Sequence, residues 1–161
     1  MDKLILAMID YYQGHPKQIQ HLLKVHSFAR TIGLAEGLDE QEQTRLEVAA
    51  IVHDIGIKPA LAKYGSSNGK YQEELGPDEA IKLLTSLDYQ DDLIERVAYL
   101  VGHHHTYHDI DGLDYQILVE ADFLVNLYED QSDLKAIDSA YDKIFKTTTG
   151  KQICKTMFFK D

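Results

Sequence analysis

Apolar residues recur at three- and four-residue spacing along almost the whole chain, and no stretch sustains the two-residue alternation of a half-buried strand. Such a chain can bury its apolar stripes only by packing helix on helix, so the expected fold class is all-α, a single-domain helical bundle. Glycine and proline divide the pattern. A first helix covers Asp2 to Tyr12 and ends at Gly14; Pro16 opens a long one to Glu36, which Gly37 stops. Asp39 and Glu42 have the spacing of a capping box, and the helix they start runs through Leu46, Ala49, Ala50 and His53 to Gly56. Residues Gly65 to Lys70 read as a loop, after which Pro77 opens a helix to Leu87 and Asp91 begins another that reaches His103, His104 and His105. Asp114 and Ser132 are the expected caps of helices reaching Tyr128 and Phe145, and Thr149 to Phe158 is the last helical segment.

The 161 residues carry 16 Lys plus Arg against 27 Asp plus Glu, a formal charge of −11 with no basic cluster, which opposes nucleic-acid polymers and anionic membranes. The apolar run Leu4 to Ile9 is too short to span a bilayer, so a cytoplasmic location is expected. One cysteine, Cys154, allows no intramolecular disulfide. The terminal helices leave room for a homodimer face, although no pattern demands one.

Several helices that should build the core also carry metal-binding groups inward. His21 lies four residues before Val25, on the core-facing stripe; Asp122 lies four after Leu118 and three before Val125. His53 and Asp54 follow Ala49 and Ala50 at helical spacing and straddle a buried edge. His104 follows Leu100 by four, with His103 beside it, so both imidazoles are expected at the same centre. Inward carboxylates and imidazoles are costly unless something offsets their desolvation, and a shared cation does this for all of them. His26 is expected to be solvated and Glu120 to face solvent, because each falls off the inward stripe of its helix.

The order His21-Leu-Leu-Lys-Val25, Ala49-Ala-Ile-Val-His53-Asp54-Ile-Gly56, Leu100-Val-Gly-His103-His104 and Ile117-Leu-Val-Glu-Ala121-Asp122 resembles the HD-domain superfamily of metal-dependent phosphohydrolases. The resemblance covers about residues 19–127 of a single domain, with helices over 132–158 packing on that core. It implies a primary site of His21, His53, Asp54 and Asp122, with His103 and His104 available to a second ion. The mixed N/O donors suit Fe, Mn, Co, Ni or Zn better than Mg. Where two-metal members carry a further histidine, this chain reads Tyr71-Gln-Glu-Glu-Leu-Gly76-Pro77; Glu73 or Glu74 can ligate a hard cation or act as a general base there. The lysine often found directly after the glycine is displaced to Lys58.

The implied activity is hydrolysis of a nucleotide or similar small phosphate ester, mono- or diester, by a metal-activated water, with Asp54, Glu73 and Lys58 as catalytic candidates. Lys24, Lys58, Lys70 and His105 are the candidates for holding the substrate. Two other readings fit the same residues: a di-iron oxygenase of the HD type, and a domain that binds a nucleotide without turnover.

Overall fold

Pro16 occupies the first turn of a 21-residue helix, where a missing N–H costs nothing, and Gly37 ends it with φ 81°. That helix, α2, is the spine of the molecule. The computed structural model describes residues 1–160, and among them it contains nine helices and no strand: α1 (Asp2–Tyr11), α2 (Pro16–Glu36), α3 (Glu40–Val52), α4 (Ile57–Tyr64), α5 (Gly69–Ser86), α6 (Asp91–Val101), α7 (Leu113–Glu129), α8 (Leu134–Lys143) and α9 (Thr148–Phe158). None is long and apolar enough to cross a membrane.

The all-helical expectation holds, and the chemistry that starts each helix is specific. Asp39 accepts from the Glu42 amide at 2.8 Å while its own amide points to the Glu42 carboxylate at 3.4 Å, which closes the capping box of α3. α3 packs against α2, α6 and α7; α9 covers α2 and α7. Val25, Ala29 and Ile32 of α2, Leu46, Ala49 and Ala50 of α3, and Ile117, Leu118, Ala121 and Leu124 of α7 are fully buried where these helices meet. Each large aliphatic side chain placed there contributes about 1.5–3 kcal/mol. This rigid three-helix junction is what fixes the inward polar groups.

Several boundaries differ from the sequence reading. Asn68, whose side chain accepts from the Lys70 amide at 3.0 Å, caps α5, which continues through Pro77. Gly76 explains the continuity: without a Cβ it escapes the clash that normally bars the residue before proline from helix, and the Cβ position is already filled by Val101. α4 forms between the expected helix end at Gly56 and the expected loop at Gly65, where the sequence reading has no helix; Pro59 falls in its first turn, where proline is tolerated. Gly112 rather than Asp114 precedes α7; Asp114 lies inside the first turn and is clamped by Arg96 at 2.6 and 2.8 Å. Asp133, not Ser132, caps α8 through the Ala136 amide, and α8 ends at Lys143.

Glu120 reverses its expectation. It is fully buried and accepts from the amides of Lys146 and Thr147, the Thr147 hydroxyl and the Gln116 side chain, so it pins the α8–α9 junction to α7. It does fall off the stripe that carries Asp122, two residues away on α7. What covers that side is α9, which only the tertiary fold reveals.

Candidate metal centre

α2 delivers His21, the turn after α3 delivers His53 and Asp54, the turn after α6 delivers His104, and α7 delivers Asp122; all five are buried. His21 Nε2 lies 3.4 Å from His53 Nε2, 3.4 Å from Asp54 Oδ2 and 3.1 Å from Asp122 Oδ1. His53 Nε2 is 3.5 Å from Asp54 Oδ1 and from Asp122 Oδ1, and His104 Nε2 is 3.5 Å from Asp54 Oδ1. Ligand atoms about 2.0–2.2 Å from one ion stand roughly 3.0–3.5 Å apart in octahedral or tetrahedral arrangement, so these spacings fit a shared cation. His21, His53 and Asp54 form one group able to hold a metal ion; Asp54, His104 and His105 form another.

Hydrogen bonds outside the cluster set the direction of each ring. His53 Nδ1 lies 2.9 Å from the Ala50 carbonyl and His104 Nδ1 2.8 Å from the Val101 carbonyl; carbonyls only accept, so each ring donates Nδ1–H and turns Nε2 to the centre. His21 does the same through Glu129, whose Oε2 is 3.1 Å from Nδ1. Gln18 donates to Asp54 Oδ2 at 2.7 Å, Asn126 to Asp122 Oδ1 at 2.9 Å, and the Tyr12 hydroxyl to the Asp54 backbone carbonyl at 2.6 Å.

The electrostatics follow from this crowding. Burial opposes the charge of His53, but Asp54 and Asp122 outweigh it and raise its pKa to about 9. Burial likewise opposes ionisation of both carboxyls, yet His53 holds Asp54, and His21 with His53 holds Asp122, well below the usual carboxylate range. His21 rises against its burial through Asp122. His105 goes the other way, down to about 4, because burial and His104 both disfavour its charge.

Other nominated residues lie elsewhere. His103 does not join His104: its Nδ1 faces the Tyr99 carbonyl at 2.7 Å and its ring stacks on Tyr99, because neighbouring residues after a helix end diverge in direction. Lys58 donates to the Tyr11 carbonyl at 2.7 Å and lies over the Tyr11 ring, held away from the cluster. Lys70 is exposed at the start of α5, and Lys24 is paired with Glu129 at 2.6 Å. Glu73 accepts from the His105 amide and the Thr106 hydroxyl, both at 3.0 Å, and so ties α5 to the loop that carries His105; Glu74 is bound at the surface by Tyr64 and Lys63. His26 is not solvated, since Glu47 holds it at 3.0 Å between α2 and α3.

Sequence reasoning missed Gln18, Gln72, Asn126 and Glu129. Helical spacing contained a signal for three of them: Asn126 and Glu129 follow Asp122 by four and seven residues, and Gln18 precedes His21 by three. With Lys17, Gln72 and His105 they line a cavity of about 180 Å³ that opens onto His21, Asp54 and Asp122.

Comparison with known proteins agrees with this arrangement. No curated protein matches the sequence. A solved structure described as a predicted HD superfamily hydrolase from an uncultured Thermotogales bacterium superposes with a TM-score of 0.70 at 22% identity, over 98% of this chain and 84% of that one, and so shares its fold. The family model described as the HD domain matches residues 19–142, a span that contains His21, the His53-Asp54 pair, His104 and Asp122. The chain therefore belongs to the HD-domain family.

Proposed function

We propose that this protein is a metal-dependent phosphohydrolase that cleaves a small phosphate ester, a nucleotide or a related metabolite. The observation that carries the reading is the convergence of His21 and His53, each within 3.5 Å of the other and of the Asp54 and Asp122 carboxylates, around a cavity large enough for a phosphoryl group. A divalent ion held by those side chains would lower the pKa of a bound water and polarise the phosphorus centre.

The chain's own residues complete the setting. The imidazoles meet the centre through Nε2 because their Nδ1–H groups are engaged elsewhere, and Gln18 and Asn126 hold the two carboxylates in place. Lys17, exposed in the first turn of α2 and lining the cavity, takes the role of phosphate-neutralising cation for which Lys58 and Lys70 were nominated. Asp54, with contacts to His53, His104 and His21 on its two oxygens, is the group best placed to orient a nucleophile.

Metal analysis of untagged protein, followed by phosphate release from a nucleotide and sugar-phosphate panel under each of Mn, Fe, Co, Ni and Zn, tests the proposal. We expect bound metal and phosphate release, both abolished by Asp54→Ala. Intact substrates under every metal, or oxygen uptake by the iron-loaded protein in place of phosphate release, would overturn it.

A further inference from the structure

Three buried polar atoms around the Asp54 cavity make no hydrogen bond: Oε1 of Gln72, Nε2 of His104, which stands 3.5 Å from Asp54 Oδ1, and Nε2 of His105. Gln72 and His104 each have their other polar end engaged. Gln72, 6% exposed, donates from Nε2 to the Ser67 carbonyl at 2.8 Å; turning the amide over would set two carbonyl oxygens against each other, so Oε1 is the end left over. His104 donates from Nδ1 to the Val101 carbonyl, which leaves its Nε2 an acceptor; His105 Nδ1 stands 3.5 Å from the Tyr107 hydroxyl, which can donate or accept.

Close backbone packing holds these groups together. A Cβ on Gly56 would fall 2.5 Å from the Gln72 carbonyl oxygen, so only glycine two residues after Asp54 lets α5 approach this closely. A Cβ on Gly69 would fall 2.8 Å from the His105 ring, which lies against the first turn of α5. One turn later on the same helix, Gln72 lines the cavity shared by Asp54 and His105.

Acceptors gathered around a carboxylate want positive charge. A water donates only two hydrogens and cannot satisfy Gln72 Oε1, His104 Nε2 and the Asp54 carboxylate together, whereas one cation can. We infer that Gln72 supplies a neutral amide oxygen to a second cation subsite completed by Asp54, His104 and His105, and that this oxygen makes the second ion weakly held and exchangeable. The inference rests on the metal-centre reading above, because Asp54 is common to both groups, but not on the identity of the reaction. Replacing an imidazole donor by an amide oxygen shifts preference from borderline metals toward harder ones such as Mn. The two ions therefore differ in affinity and in kind.

The experiment is a titration of the metal-free full-length protein with Mn²⁺, read as free Mn²⁺ by electron paramagnetic resonance and as heat by calorimetry. The wild type should take up two ions, the second at least about tenfold weaker than the first. Gln72→Leu should lose the second ion and keep the first, whose retention shows that the variant is folded. Gln72→His should hold the second ion roughly tenfold or more tighter and extend its preference toward Zn, and Gln72→Glu should tighten it for Mn. Saturation of the wild type by one ion, or a second ion whose affinity is the same in all three variants, overturns the subsite and leaves the first centre standing. Binding of no ion at all removes both.

Discussion

His21 and His53 present their Nε2 atoms to each other at 3.4 Å, with Asp122 Oδ1 within 3.1 Å of the first and 3.5 Å of the second. Two imidazole lone pairs repel at that distance unless a proton or a cation lies between them. Asp54 and Asp122 raise the pKa of His53 to about 9, so the metal-free chain favours a proton on that pair at pH 7. The cluster is thus charged for exchange: an ion that enters must displace what the acids hold.

The carboxylate of Asp122 faces both rings, so its removal should be felt at the ion before anywhere else. Asp122→Asn keeps the shape of the side chain and the Asn126 contact, but gives up the charge. Metal retained after dialysis should fall to roughly a tenth or less, with far-ultraviolet circular dichroism unchanged.

Glu129 acts through His21. Glu129→Gln removes the charge that fixes the Nδ1–H and should weaken the first ion by about 10–100-fold, whereas Lys24→Ala, which loses only an exposed partner of the same carboxylate, should change metal affinity by less than about threefold. Calorimetric titration of the two variants in parallel separates them.

Proton release should accompany metal binding. With His53 raised to about 9, the metal-free protein holds a proton there at pH 7, and affinity should climb between pH 6.5 and 9 as that proton becomes easier to lose. Calorimetry at pH 7 in two buffers of different ionisation heat should report about one proton released per ion. The sign for stability is opposite. A raised histidine stabilises the metal-free fold below its ordinary pKa of 6.5 and loses that contribution as pH rises through about 9. The depressed Asp54 and Asp122 contribute above their ordinary 3.8 and lose it at lower pH, so thermal stability without metal should peak between 3.8 and 6.5.

Glu120 lies two residues from Asp122, yet its effect should be on folding alone. Glu120→Ala strips an acceptor from two backbone amides and a hydroxyl in a sealed site, at a cost of about 3 kcal/mol. The melting temperature should drop by roughly 6–12 °C, while metal affinity stays within twofold. Gly150→Ala should destabilise as well, because its methyl would collide with the Glu120 carboxylate.

Helical spacing by itself placed His21 and Asp122 on inward stripes, since the direction of a side chain on a regular helix depends only on residue number, and it aimed His53, Asp54 and His104 inward although they lie in the turns just past α3 and α6. It also gave α1 and α2 to within a residue and the starts of α3 and α6, because their caps and breakers are local signals, but it carried α3 on to Gly56 and α6 to the histidines, where the chain has already left the helix at Val52 and Val101. The same periodicity failed wherever a partner element decides. Pro77 reads as a helix start until Gly76 is seen tucked under Val101; Glu120 reads as exposed until α9 lies over it; His103 and His104 read alike until the chain leaves α6 and sends them apart. Lys17 could not be preferred to Lys58 or Lys70 from sequence, because the reach of a long flexible side chain depends on the walls around it. Gln72 could be noticed as the residue standing where a histidine was looked for. That its carbonyl oxygen is buried without a partner follows only from the amide's bond to Ser67 and from α5 closing on Gly56, contacts between segments that no local rule connects.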